Sequence, residues 1–151
     1  MTLAEWAREC FALDTFATQT TGIRIMNVVY NADHNFAASV CDLQIDYTHR
    51  NARGMVMGGV FCTLADFATA IASNAVEAQP ILKGEKEGDP NHLHWVTLES
   101  SINFLRQPKG DTIRAQTRCI KQGKTTSLHE VDIVEGNRLL AHGTATCIRV
   151  D

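Results

Sequence analysis

One stretch of the sequence places flexible backbone directly before a helix that carries a single acid. Residues 51–59 have the sequence NARGMVMGG, and residues 63–66 have the sequence TLAD. Paired glycines such as Gly58 and Gly59 at a helix start let the backbone approach a ligand closely and leave amide N–H groups free. Together with the helix dipole, these amides suit an oxygen atom that gains negative charge during a reaction.

Each of these features also has a purely structural interpretation. Paired glycines before a helix more often relieve steric crowding than bind an oxyanion. An acid in an apolar helix, such as Asp66, is more unusual, because an ionised carboxylate is costly to bury without partners. The residues alone leave a functional and a structural role for Asp66 equally open.

The spacing of the acid and the glycines constrains how they could act together. Asp66 follows Gly58 by eight residues, which places it about 12 Å further along the helix axis. One helix therefore cannot bring its own Asp66 to its own Gly58. Two antiparallel copies of the helix could do so across a dimer interface, because the helix face around Asp66 consists of small residues that permit close approach. We therefore expect a homo-oligomer.

The elements that must position these groups follow from the hydrophobic pattern. A helix over about residues 58–78 has few charges on any face, which is typical of a buried helix. The pattern also predicts a helix over about 2–17, strands at 22–30, 36–45, 95–105, 111–120, 126–134 and 138–148, and loops at 46–57 and 80–92, the second loop mobile. Six strands with one long helix between the second and third predict an α+β fold, in which an antiparallel sheet curls around that helix.

The bulk composition narrows the class of protein. A length of 151 residues fits one domain over 1–151, and a net charge of -3 argues against a nucleic-acid binder. Five cysteines without a C-x-x-C pair indicate reduced thiols rather than a disulfide framework or a zinc site. We expect no secretory signal, because Glu5, Arg8 and Glu9 interrupt the first ten residues, and we expect the most apolar stretch to be too short to span a bilayer. We expect a cytoplasmic protein that binds neither nucleic acid nor a membrane.

Several motifs together resemble the phenylacetate-degradation (PaaI-type) family of hotdog acyl-CoA thioesterases. The motifs are N-x-x-G before the paired glycines, L-x-D-x-A in the long helix, S-I-N-F-L-R-x-P at a strand end and G-K-T at a later turn. They fall at Asn51, Gly54, Gly58, Gly59, Leu64, Asp66, Ala68, residues 101–108 and residues 123–125. The resemblance covers about residues 22–148 and implies the hotdog fold.

The resemblance implies a role for each matched position. Asp66 would attack a thioester or activate a water molecule, and the Gly58 amide would polarise the thioester carbonyl. Asn51 would hold the substrate or the water, and Thr97 falls where the family often carries an assisting hydroxyl. The family assembles as a dimer or a dimer of dimers with its sites between subunits, which agrees with the axial distance. The reaction would convert an aryl- or fatty-acyl-CoA to a free acid and CoA, with no metal or redox cofactor.

Met57 is the clearest departure from the family pattern, which usually has a histidine before the glycine pair. A thioether cannot donate a hydrogen bond, so the geometry of the loop and the choice of substrate are expected to differ. The carboxylate and the amide are retained. Met57 and Gly59 are expected to line the substrate-binding site.

Other side chains are candidates for contacts with the substrate. Arg106, Lys109 and Lys124 lie at predicted strand ends and are the cations that we assign to the phosphates of CoA, although charges at such positions often only solvate the surface. His49, beside Asn51, is expected either to line the site or to have a structural role.

The remaining histidines and one helical cysteine are expected to have structural roles. His92 and His94 could bind a metal, but no third ligand lies near them in sequence, so both are expected to be exposed loop residues. His129 and His142 are expected at the surface or on a sheet face. Cys62 is expected to be a small core residue.

Two other functions are alternatives to hydrolysis. A hotdog hydratase or dehydratase needs a histidine paired with an acid near the helix start, where this chain has Met57. A non-catalytic acyl-CoA-binding domain would usually carry an output domain, for which 151 residues leave no room. Release of the CoA thiol distinguishes hydrolysis from both.

Overall fold

The computed structural model describes residues 1–151, and its elements follow the predicted order. Helix α1 (Leu3–Phe11) and a π-helix (Phe16–Thr21) precede two strands, and a 3₁₀ turn (Tyr47–His49) precedes helix α2 (Gly58–Leu82). The strands are β1 (Arg24–Asn31), β2 (Phe36–Gln44), β3 (Trp95–Phe104), β4 (Thr112–Gln122), β5 (Thr126–Glu135) and β6 (Arg138–Arg149). All strand pairs are antiparallel, in the order β1-β2-β4-β5-β6-β3. The predicted hotdog architecture is confirmed.

Helix α2 supplies the centre of the core. Leu64, Ala68 and Ile71 on this helix have no exposed surface, and the inward residues of β4 and β5 alternate with exposed ones along each strand. By length and composition α2 could cross a membrane, with a mean hydropathy of 1.3 over its most apolar window, but 67% of that window is buried inside the fold. Burial on most sides explains why this helix shows few charges.

Two helix ends differ from the hydrophobic pattern. Helix α1 ends at Phe11, and the chain then forms the π-helix that closes at Gly22, whose φ of 90° favours glycine. Helix α2 continues to Leu82 with Pro80 inside its last turn. Because the missing N–H of a proline removes only one hydrogen bond there, packing of α2 on the sheet outweighs the local preference of Pro80 to end the helix.

His129 lies on a sheet face, one of its two expected positions, whereas Cys62 lies outside its predicted environment. His129 is fully buried, because it lies on the inward face of β5 between the buried residues Ser127 and Val131. Burial lowers the pKa of His129 to about 4, so the ring is neutral at physiological pH. Cys62 is exposed rather than in the core, since it lies on the one strip of α2 that no strand covers.

An amide side chain joins α2 to the edge strand β3. Asn74 donates to the carbonyl of Trp95 at 2.9 Å and accepts from the Trp95 amide at 2.9 Å. Glu77, one turn further along α2, accepts from the Trp95 indole at 3.1 Å and from Arg149 of β6 at 2.5 Å. The start of β3 is therefore held on its outer side by α2, in place of a neighbouring strand.

Replacing Asn74 should destabilise the fold. Asn74→Leu leaves both backbone groups of Trp95 buried without partners, and each such group costs on the order of 1–3 kcal/mol. We expect the free energy of unfolding, measured with urea, to fall by at least that amount. Gln116→Leu, on the exposed face of β4, is the control and should change it little. Equal stability of the two variants would show that the Asn74 bridge contributes nothing.

Candidate active site

The carboxylate of Asp66 lies on the exposed strip of α2 and is held by a strand residue. The Thr97 hydroxyl, on β3, donates to Asp66 Oδ1 at 2.7 Å. Asp66 itself is exposed in the single subunit, so the charge is solvated and the burial cost considered above does not arise. The structure therefore brings together two of the predicted catalytic residues, which the loop between α2 and β3 separates in the chain.

The start of α2 presents free backbone donors, as the sequence predicts. Met57 is the N-cap in an extended conformation, and its side chain makes no capping hydrogen bond. Its amide donates to the His49 carbonyl at 3.0 Å and its carbonyl accepts from Val60 at 2.9 Å, whereas the amides of Gly58 and Gly59 have no acceptor in the chain. These two N–H groups could polarise a carbonyl oxygen.

Gly58 also makes room for an aromatic ring. A Cβ atom at this position would lie 3.1 Å from the ring of Phe104, at the end of β3. The Phe104 ring in turn packs on Phe61 with its centroid 5.9 Å away. The small residue therefore lets the end of β3 cover the first turn of α2, beside the free amides.

Asn51 shapes the loop before α2. Its side-chain oxygen accepts from the amides of Arg53 at 2.9 Å and Met55 at 3.2 Å, and its own amide donates to the Met55 carbonyl at 2.8 Å. Gly54 completes the turn with a φ of 75°, a conformation that favours glycine. The side-chain NH₂ of Asn51 is exposed and has no partner in the chain, so it is free to donate.

Of the two roles expected for His49, lining the site or supporting the structure, its contacts indicate the structural role. The ring is buried, with Nδ1 accepting from the Asp46 amide at 3.0 Å and Nε2 donating to the Thr21 carbonyl at 2.7 Å. Both ring nitrogens are therefore used to tie the loop before α2 to the end of the π-helix.

The three predicted phosphate contacts do not form one cluster within a subunit. Arg106 and Lys109 are exposed near the start of α2, and the Lys109 amide donates to Glu135 at 3.0 Å. Lys124 lies in the turn at the other end of β4. Because β4 has 11 residues, its two ends are about 35 Å apart, so Lys124 lies far from Arg106 and Lys109 of the same subunit.

The loop histidines and His142 have local partners. The rings of His92 and His94 stack with centroids 4.1 Å apart, and His94 Nε2 lies 3.7 Å from Glu77. His142 lies on β6, 2.6 Å from Asp132. No three His, Cys, Asp or Glu side chains are grouped so that they could hold a metal ion.

Asp66 separates two surface depressions. One lies against β3 and β6 and is lined mainly by small and polar residues, among them Cys62, Thr69, Ser100, Ser101 and Thr144. The other lies between α2 and the segment that follows α1, and Phe16 and Phe67 are its largest side chains. Asp14 lines this second depression, and its pKa is raised by burial and by the charge of Asp66.

The segment 14–17 is the part of the site that the sequence did not indicate. It contributes four residues to the second depression, although it lies about fifty positions from Asp66 in the chain. The only local signal is a phenylalanine, Phe16, whose exposure is visible only in the structure, and a single exposed apolar residue is common on protein surfaces.

Comparison with known proteins identifies the family. The model of the thioesterase superfamily matches residues 53–142. The acyl-coenzyme A thioesterase 13 of Homo sapiens is 27% identical over 110 residues, which cover 71% of this chain and 69% of that protein. The Mus musculus protein of the same name is 26% identical over 110 residues, with the same coverage of 71% and 69%.

Solved structures share the fold. A thioesterase family protein from Silicibacter pomeroyi superposes with a TM-score of 0.75 at 20% identity, covering 99% of this chain and 98% of that one. The E. coli PaaI protein from the phenylacetic acid degradation operon gives 0.72 at 21% identity, covering 99% and 97%. A hypothetical thioesterase from Streptococcus pneumoniae, solved with coenzyme A, gives 0.71 at 23% identity, covering 95% and 96%. Since the family model matches more than half of the chain, the chain belongs to the thioesterase superfamily and is a hotdog-fold thioester hydrolase.

Proposed function

We propose that the protein hydrolyses an acyl-CoA to the free acid and CoA, with Asp66 as the catalytic carboxylate. The observation that carries this proposal is the hydrogen bond of 2.7 Å from Thr97 to Asp66, on an open strip of α2 between two depressions. The human and mouse relatives are named as acyl-coenzyme A thioesterases, which supports CoA as the leaving group. The five cysteines are all free thiols, which supports the cytoplasm as the place of action.

The chemistry needs a carboxylate on one side of the thioester and a donor on the other. Asp66 attacks the carbonyl carbon itself, or it deprotonates a water molecule that attacks. In either route negative charge develops on the carbonyl oxygen, where the Gly58 amide at a helix N-terminus stabilises it. The C–S bond then breaks. In the water route Asp66 passes the proton that it took from the water to the departing CoA thiolate. In the direct route the thiolate takes a proton from solvent, and water then hydrolyses the acyl–Asp66 anhydride to the free acid and the regenerated carboxylate. Thr97 occupies Oδ1 of Asp66 and leaves Oδ2 for the reaction.

We propose that the site forms between two subunits. In one subunit Asp66 and Gly58 are separated along α2, so the Gly58 amide must come from the partner. The outer edge of β3 has no neighbouring strand, and Val96, Leu98 and Phe104 are 45%, 61% and 54% exposed along it. An unpaired edge with apolar side chains favours pairing with a second copy. A homodimer, or a tetramer of two such dimers, would cover this edge and align two α2 helices antiparallel.

The apolar acyl group and the charged CoA end of the substrate suit different parts of the site. We propose that the acyl group lies in the depression with Phe16 and Phe67, because an aromatic wall suits an aryl or fatty chain. The partner's Asn51 and the partner's Met57 line the entrance beside the partner's Gly58. The phosphates of CoA meet Arg106 and Lys109, with Lys124 contributed by the other subunit, since one subunit holds these cations at opposite ends.

The variant Asp66→Asn tests the chemistry. It keeps the size of the side chain but removes the negative charge, so we expect the rate of thiol release to fall by about 10²–10⁴ while the fold survives. The measurement is thiol release from a panel of acyl-CoAs, with thermal unfolding alongside. Asp14→Asn, the same change across the depression, is the control and should lose less than about tenfold. A folded Asp66→Asn enzyme with full activity would make Asp66 a structural acid.

Subunit complementation tests where the site lies. Gly58→Pro removes the N–H at a position where proline suits a helix start, and Met57 before it already has an extended backbone. The Phe104 ring is exposed and can move aside. We expect Gly58→Pro and Asp66→Asn to be inactive separately. Mixed dimers contain one site with both native groups, so re-annealed subunits should regain about a quarter of the wild-type rate.

The outcome distinguishes a site shared between two subunits from a site within one subunit. A mixture that stays inactive, although mass spectrometry shows mixed dimers, would place both groups in one subunit. Gly59→Ala, which keeps its N–H and meets only the flexible end of Met57 at 3.8 Å, is the matched control and should keep most activity. A protein that is monomeric at micromolar concentration would also contradict the shared site.

Acyl-chain selectivity tests the aromatic depression. Phe16→Ala removes the largest exposed side chain of this depression. We therefore expect kcat/KM to fall by about tenfold for long-chain or aryl substrates and to change little for acetyl-CoA. Leu13→Ala, an apolar residue 84% exposed and absent from the lining, should leave the ratio unchanged. Equal selectivity of Phe16→Ala and wild type would place the acyl group elsewhere.

A further inference from the structure

A second carboxylate lines the aromatic depression in which we place the acyl group. Asp14 belongs to the segment between α1 and the π-helix, whereas Asp66 lies on α2. Both acids line this depression together with Phe16 and Phe67. A chain that leaves the thioester at Asp66 and lies along the aromatic side chains therefore enters a space that holds a second acid.

Neither of these carboxylates is neutralised by a cation in the subunit. The residues that line the depression include no Lys, Arg or His, and neither acid forms an ion pair. Asp66 accepts from the uncharged hydroxyl of Thr97. In Asp14 only the backbone carbonyl is engaged, by the Thr18 hydroxyl at 3.0 Å. The depression therefore combines apolar walls with two negative charges.

The two acids are close enough to influence each other. Burial and the negative charge of Asp66 both raise the pKa of Asp14, so the depression already disfavours the second of two negative charges. A third negative charge, brought in on the substrate, would meet the same repulsion from Asp14. Because Asp14 is exposed in the subunit, solvent screens part of this repulsion.

We propose that Asp14 is a specificity-determining residue, whose charge rejects acyl groups that end in a carboxylate and so favours acyl-CoAs with an uncharged chain. This inference rests on the proposed function and on the proposed place of the acyl group beside Phe16 and Phe67. The aromatic walls select the apolar body of the chain, and Asp14 repels a charge at its far end.

The test uses pairs of substrates that differ only at the end of the chain. Butanoyl- and succinyl-CoA, hexanoyl- and adipoyl-CoA, and octanoyl- and suberoyl-CoA each pair a terminal methyl group with a terminal carboxylate. The measured quantity is the ratio of kcat/KM for the acid to kcat/KM for its uncharged partner. This ratio cancels the charge of CoA and every change that affects both substrates equally.

The decisive comparison is between wild type and Asp14→Asn, which keeps the size of the side chain and removes its charge. Apolar walls also disfavour a carboxylate, so the preference of wild type alone does not reveal the role of Asp14. We expect the ratio to rise by about tenfold in Asp14→Asn for the pair whose carboxylate reaches this position. Added salt should reduce that gain, because salt screens the repulsion in wild type.

Glu9→Gln is the matched control. It removes one negative charge from the exposed surface of α1, outside the depression, so the ratio should stay within about twofold of wild type. Asp14→Lys should raise the ratio further than Asp14→Asn, because attraction replaces repulsion. If wild type turns over the acid member too slowly to measure, its inhibition constant against the uncharged partner gives the same comparison.

Failure of this inference is distinguishable from failure of the proposed function. If wild type releases no thiol from any acyl-CoA, the proposed function is wrong. If wild type is active and Phe16→Ala changes chain selectivity, but the ratio in Asp14→Asn equals that of wild type for every pair, only the role of Asp14 is wrong. An equal rise in Glu9→Gln and Asp14→Asn would also overturn it, since that would reflect the overall charge of the protein.

Discussion

The rise of a single helix is the constraint on which the proposed site depends. Gly58 and Asp66 lie on α2 about 12 Å apart along its axis, yet an oxyanion donor and a carboxylate must reach the same thioester group. In the proposed dimer a second subunit would resolve this conflict, because two antiparallel helices would each bring Gly58 to the Asp66 of the other. The small residues around Asp66 and the exposed β3 edge beside it would let two copies come close in that dimer.

The same helix also replaces the strand that β3 lacks within the subunit. Asn74 holds both backbone groups of Trp95, and Asp66 holds the hydroxyl of Thr97, two residues further along the strand. One α-helix thereby fixes the start of an edge strand and the position of the proposed catalytic carboxylate. Stability and function are coupled here, since a shift of β3 relative to α2 would move Thr97 away from Asp66.

The sequence by itself determined the order of the elements, the buried central helix, the glycine pair at its start and Asp66 within it, because periodicity and backbone freedom are local properties. It did not determine that Thr97 donates to Asp66, that Phe16 lines the same depression, or that His129 is buried and Cys62 exposed. Those facts depend on which residues of each strand face inward and on how α2 crosses the sheet. Only tertiary packing decides them, because burial is set by neighbours that are distant in the chain.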